Sequence, residues 1–283
     1  MSCIRIQRDR LAIRRRGGLP LPPSGRNMHP NALVTGKARM DVLNSIIAAR
    51  VKSVQASAKG YSGSCTYAFS QMTNPVADII GTDKTTKDGI CEMLSARWMV
   101  ENSRGRSLQA WLSAGGGNGI DASKIRLLMQ LFIIGESMRP SRMIDESDNA
   151  AVRRGAQDQD AATQNFLLSN GLVPVPGNSG GWGRGDSSGG DKIKHLIARD
   201  LCDGRGGGRR WRMIGIWGSV GGHAMAFSSD DSGCAFFDPN YGAFAFSSKS
   251  KFRDWFTHAF YPMAFYTKLL GKRYELLDYQ KAG

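Results

Sequence analysis

RWRMIGIWGSVGGHAMAFSSDDSGCAFFDPNYGAFAFSS, residues Arg210 to Ser248, decides the fold. Within it RWRMIGIWGS, GHAMAFSS, GCAFFDPN and GAFAFSS set Ile, Met, Phe and Trp among small or polar residues, with Gly or Asp-Pro breaking each run. Apolar residues alternating with small or polar ones, with short turns between, predict successive strands of an antiparallel sheet. A helix over Lys249 to Phe260 and a last strand over Arg273 to Tyr279 close the chain. Upstream the pattern is helical. Cys91 opens CEMLSARWMVEN, in which Met93, Leu94, Trp98 and Met99 recur at helical spacing and define a buried face. Asp121 is placed to cap a helix running through Ile134, and Asn149 to Leu168 reads as an amphipathic helix. TYAFSQ (Thr66 to Gln71) reads as a strand, and the glycine-rich GNSGGWGRGDSSGG (Gly177 to Gly190) as a loop. Helices first and an antiparallel sheet last make an α+β domain.

The chain of 283 residues is 41% hydrophobic, enough for a substantial core. Its net charge of +14 is unevenly placed, because residues 1–60 hold 12 Lys and Arg against Asp9 and Asp41. That leaves +10 on the first 60 residues and +4 on all the rest. The division predicted is a basic, Pro/Ser/Arg-rich and disordered arm over 1–60, carrying one short helix (Met40 to Val54), and a folded domain over 61–283. Small polar residues from Ala56 to Ser64 (ASAKGYSGS) read as the linker between them. The near-neutral body argues against a nucleic-acid partner. The longest apolar stretch, Leu127 to Gly135, is too short to span a bilayer, and the arginine-rich start lacks the apolar core of a Sec signal. Five cysteines (Cys3, Cys65, Cys91, Cys202, Cys234) at irregular spacings, without CxxC, suggest neither a disulfide framework nor a zinc site. No metal and no cofactor is expected, and a monomer in a reducing compartment is.

Three local contexts carry chemistry. In KDGIC, Cys91 follows a polar loop and starts a helix, with Asp88 or Gly89 near the cap. The helix dipole and unpaired amides there favour a thiolate, and the Cys91 amide could stabilise an oxyanion. In GGHAMAF, His223 begins a strand behind two glycines that leave room for another chain. In CAFFDPNYG, Asp238 ends a strand 15 residues later, so an adjacent strand can bring its carboxylate to the imidazole. A nucleophile, a general base and an orienting acid follow in that order.

GICEMLSARWM, GGHAMAF and FFDPNYGAF resemble segments of the YopT/AvrPphB family of bacterial type III effector cysteine proteases, over about residues 65–270. The resemblance implies a papain-like fold with Cys91 as nucleophile, His223 as base and Asp238 as orienting acid. It implies secretion into a host cell and a host protein substrate, a small GTPase or a kinase. Papain-like enzymes also place a glutamine shortly before the cysteine. Thr85 to Asp88 offer no amide, which leaves Gln71 as the candidate for the oxyanion hole. Several family members cut themselves and expose a glycine that is acylated. In AKGYSGSC, cleavage after Lys59 would expose Gly60 with Ser64 fifth, and Cys65 could take a second acyl chain, a route to a membrane anchor. Two alternatives stay open. Acyltransferases, deamidases and transglutaminases use the same three residues, and a basic adaptor binding membrane or nucleic acid would use none of them.

Overall fold

The computed structural model describes residues 36–113, 119–137, 162–184, 190–203, 208–218 and 221–283. The four predicted strands form as β3 (Arg210–Gly218), β4 (Gly221–Asp230), β5 (Gly233–Asp238) and β6 (Gly242–Phe246). With β1 (Gly63–Tyr67), β2 (Leu172–Arg184) and β7 (Arg273–Lys281) they make a seven-stranded sheet in the order β1-β6-β5-β4-β3-β7-β2. Every pairing is antiparallel.

Helices cover both faces, which is why the central strands read as near-continuous apolar runs rather than apolar-polar alternation. In β4 the alternation is one of size. Met225 and Phe227 enter a core built with α1 (Gly36–Ser57), α7 (Gly190–Cys202), α8 (Lys249–Trp255) and the π-turn Phe256–Phe260. Ala224 and Ala226 enter the opposite core, with α3 (Cys91–Ser103) and α5 (Ala122–Ser137). The two alanines let α3 lie close on the strand, where Ser95 Oγ donates to the Ala224 carbonyl at 3.2 Å. Trp98 of α3 stacks on Phe237 of β5 at 5.9 Å between ring centroids. The helix that begins at Cys91 is thereby fixed against the strands that carry His223 and Asp238. Short helices α2 (Val76–Ile80) and α4 (Leu108–Leu112) flank it, α6 (162–169) follows α5, and α9 (Tyr261–Met263) and α10 (Tyr266–Leu269) precede β7.

Several expectations change. The packed body begins before residue 61: Ile47, Val51, Val54 and Ala58 are buried in the core with α7 and α8. Their 4-3-4 spacing is the apolar stripe of an amphipathic helix, which holds this basic segment on the domain. Residues 1–35 of the expected arm lie outside the described residues. The expected linker is folded, running from the end of α1 through the 3-10 turn Ala58–Tyr61 into β1. Of the expected strand Thr66 to Gln71, only the first two residues belong to β1. The glycine-rich loop is corrected as well, since Gly177 to Arg184 continue β2 and pair with β7. Its register slips between Pro174 and Ser179 and again between Ser179 and Trp182, as bulged, glycine-rich edge strands do. Residues 185–189 of that loop, and 149–161 of the helix expected over 149–168, lie outside the described residues. Asp121 caps α5 as expected, its Oδ1 accepting from Ser123 N at 2.9 Å.

Candidate active site

Cys91 is the first residue of α3 and is fully buried. The cap residue is Ile90 rather than Asp88 or Gly89, and no side chain caps the helix. Gly89 instead turns the loop into the helix at φ +117°, a conformation that favours glycine. The Ile90 amide donates to Gln71 Oε1 at 3.0 Å. On the sheet side, the amide of Ala224 donates to Cys91 Sγ at 3.3 Å. The residue after His223 therefore touches the sulfur. Cys91 is disulfide-bonded in this structure, so the chemistry considered below is that of its reduced form.

His223 and Asp238 meet through the register of β4 and β5. One step beyond the pair Ala226↔Phe237, Asp238 lies diagonally across from His223 on the same face. Both are fully buried, and His223 Nε2 lies 3.0 Å from Asp238 Oδ1. The same oxygen accepts from Asn240 N at 2.7 Å, while Oδ2 accepts from the Tyr266 hydroxyl at 2.8 Å. The carboxylate is thus held by three donors. The other imidazole nitrogen, Nδ1, is buried and has no hydrogen-bond partner among the described residues. Buried polar atoms are nearly always paired, so an orphan on a histidine next to a cysteine contact calls for a functional explanation.

Gln71 is buried within the same cluster, although in a turn rather than on a strand. Its Nε2 donates to Asn240 Oδ1 at 2.8 Å, and its backbone amide donates to the Pro239 carbonyl at 2.7 Å. One side chain therefore ties the start of the cysteine helix to the turn that follows Asp238. A primary amide carries two N–H donors, so a second remains for an oxyanion.

Lys59, Gly60 and Cys65 stand apart from this cluster. Lys59 and Gly60 are exposed in the turn Ala58–Tyr61. Cys65 pairs with Phe244 on β1, three strands from His223 in the sheet, and burial pushes its thiol above the usual range. Among the described residues no three His, Cys, Asp or Glu gather as a metal site, and no helix is long and apolar enough to cross a membrane.

Sequence reasoning passed over Asn240 and Tyr266. Asn240 lies inside the quoted DPN turn and was within reach of the motif. Tyr266 gave no local signal, because only the tertiary fold brings it 28 residues back to Asp238. Its ring leans on the His223 imidazole at 5.2 Å between centroids, and Asn240 Nδ2 donates to its hydroxyl at 3.3 Å. Burial and the neighbouring Asp238 hold the phenol well above its ordinary pKa, so it remains a neutral donor.

A cysteine opening a helix that packs on an antiparallel sheet, with a histidine-carboxylate pair on that sheet, is the layout of the papain-like class. Residues 55–282 match the peptidase C58 family, described as Yersinia/Haemophilus virulence surface antigen, and the chain belongs to that family. Cysteine protease yopT1 of Yersinia enterocolitica serotype O:8 is 29% identical over 245 residues, 81% of this chain and 68% of that protein. Cysteine protease YopT of Yersinia pestis is 28% identical over 255 residues, 84% of this chain and 71% of that protein. The crystal structure of the Pseudomonas avirulence protein AvrPphB superposes with a TM-score of 0.46 at 17% identity, over 69% of this chain and 94% of that one. The chain is a cysteine protease.

Proposed function

We propose that Cys91, His223 and Asp238 form the catalytic triad of an endopeptidase that acts on a host protein. The orphaned His223 Nδ1, one residue from the amide that holds Cys91 Sγ, carries this reading. With Nε2 engaged by Asp238, Nδ1 is the nitrogen left to take the thiol proton. The thiolate, favoured by the start of α3, attacks the scissile carbonyl and forms a tetrahedral oxyanion. The Cys91 amide and the second N–H of Gln71 stabilise that oxyanion. The imidazolium, steadied by Asp238, then protonates the leaving amine. Water, deprotonated by the same imidazole, hydrolyses the thioester and regenerates Cys91. No step calls for a cofactor. Cys91 and His223 are shielded from solvent, so a peptide reaches the sulfur only when that shielding opens and Cys91 is reduced.

By the family resemblance the substrate is a small GTPase or a kinase of the host, reached by type III secretion with the basic N-terminal segment as export signal. The test is N-terminal labelling of proteins in host cells that express wild type or Cys91→Ala. New termini that depend on Cys91 are expected. Modified but uncut proteins would replace hydrolysis with acyl transfer or deamidation at the same cysteine.

Self-cleavage after Lys59, with acylation of Gly60 and Cys65, is the more demanding branch. It requires the turn Ala58–Tyr61 to open while the preceding helix stays packed through Ile47, Val51, Val54 and Ala58. A cut chain should therefore retain its N-terminal piece under native conditions and lose it on denaturation. Full-length denatured masses for both wild type and Cys91→Ala would eliminate self-cleavage.

A further inference from the structure

Among the described residues, Phe265 and Ser62 are the non-glycine residues with a left-handed backbone, and Phe265 holds φ +60° and ψ +15°. A bulky side chain is strained in that conformation, which persists only where the surrounding structure enforces it. Here the residue joins α9 to α10. Its amide donates to the Pro262 carbonyl at 3.0 Å, and its carbonyl accepts from Lys268 N and Leu269 N, each at 3.1 Å. The kink aims the next residue. Tyr266 turns into the core and puts its hydroxyl on Asp238 Oδ2. A right-handed Phe265 would run α9 straight on into α10 and aim the Tyr266 ring elsewhere.

The contact that holds Phe265 comes from α1. The Arg50 guanidinium lies over the Phe265 ring, 3.6 Å from its centroid. A planar cation stacked on an aromatic face is attracted by the ring quadrupole and packs closely on it. The ring is only half-buried, so the core alone does not fix it. Arg50 is also near enough to Tyr241 to oppose the burial and the Asp238 charge that raise its phenol. Tyr241 in turn meets the Tyr266 ring edge-on, 6.2 Å between centroids. The helix that carries Arg50 is itself anchored at this end of the sheet. Gln55 Nε2 donates to the Tyr241 carbonyl at 3.1 Å, and Ser57 Oγ accepts from Trp255 Nε1 at 2.9 Å. Ile47, Val51 and Val54 bury the apolar stripe of the same helix. Arg50 therefore projects from a fixed element, although it belongs to the basic segment that composition marks as a solvated arm.

We propose that Arg50 is a positioning residue for the catalytic acid: stacked on Phe265, it holds that residue left-handed and so keeps the Tyr266 hydroxyl on Asp238. This rests on Asp238 being the triad acid, and the test separates the two. Helix α1 is then part of the working site, and a chain cut after Lys59 stays active only while it retains that helix.

Initial rates of cleavage of a quenched-fluorescent peptide library are compared for the reduced full-length chain and its variants. Arg50→Met, which keeps a long stem without the charge, should lower the rate roughly 10-fold, about as far as Tyr266→Phe, the worth of a hydrogen bond to a charged group. The double variant should be no slower than Tyr266→Phe alone, because Arg50 acts through that hydroxyl. Arg50→Lys, which restores a cation, should recover part of the rate. Full activity in Arg50→Met, or a double variant slowed by the product of the two single effects, overturns the proposal. A second readout needs no turnover. A buried, hydrogen-bonded tyrosine hydroxyl proton exchanges slowly with water, and the proton NMR signal that Tyr266→Phe deletes identifies this one. Arg50→Met should broaden or erase that signal while the other ring signals of the core stay in place. An unchanged signal overturns the proposal even if wild type cuts nothing. Unimpaired cleavage by Asp238→Asn would count against the triad acid, with the NMR signal still deciding for or against Arg50.

Discussion

The two faces of the sheet are built differently. On one, Phe227, Phe236 and Phe244 meet Phe252, Trp255, Phe256 and Phe260, and Phe236 alone has five of these rings within 6.3 Å. On the other, the same central strands present Ala224, Ala226, Gly215 and Met213 to α3 and a small hollow beside it. Large interlocking rings make a rigid slab, and small residues leave room for a helix end, a sulfur and a substrate. Stability is concentrated on the aromatic side, whose end also carries His223, Asp238 and Tyr266, whereas Cys91 approaches from the small-residue side.

Substitutions on the two sides should therefore separate activity from stability. The largest effect expected is from Cys91→Ala, which should lower kcat/KM by more than about 1000-fold and, compared with the reduced wild type, barely move Tm. A variant that kept its activity would remove the catalytic assignment. Phe236→Ala on the opposite face should do the reverse, destabilising the fold by about 3–5 kcal/mol in denaturant unfolding. A loss below about 1 kcal/mol would mean that the aromatic slab is not the stabilising face. Tyr266→Phe lies between them. It keeps the ring on His223 but removes the donor to Asp238, so kcat should fall about 10-fold while KM holds and Tm drops by a few degrees. An equal change in KM would point to a looser cleft instead of a mispositioned acid.

The smallest effect concerns pH. Burial raises the Glu275 carboxyl above its unfolded value, so the folded state binds this proton more tightly than the unfolded chain. The contribution is fully present below the unfolded pKa, near 4.3, and is lost as pH rises through the folded value. Glu275→Gln should thus raise Tm slightly at neutral pH and leave it unchanged near pH 4. A difference of the same size at both values would trace to packing, not to charge.

Much of this was legible in the sequence, for identifiable reasons. The central strands could be read because two covered faces require continuous apolar runs. Cys91, His223 and Asp238 could be picked out as candidates because each lies in a short context whose backbone role is local. The packed helix before residue 61 was also legible in principle, since Ile47, Val51, Val54 and Ala58 keep helical spacing. Averaging the charge over 60 residues concealed that stripe. Residues Gly177 to Arg184 were misread because glycine signals a turn locally, whereas backbone pairing with β7 decides the conformation. Tyr266 was beyond reach, since its role exists only once the chain has folded around Asp238.

Gln71 has one further implication. Its amide holds the Ile90 end of the cysteine helix with its oxygen and the Asn240 turn with its nitrogen, so it works as a spacer of fixed length between the start of the Cys91 helix and the turn after Asp238. Two halves of the chain separated by more than a hundred residues are kept in step by a single planar group. Damage at either end should then be felt at the other, and Gln71→Ala combined with Asn240→Ala should cost less than the sum of the two changes alone.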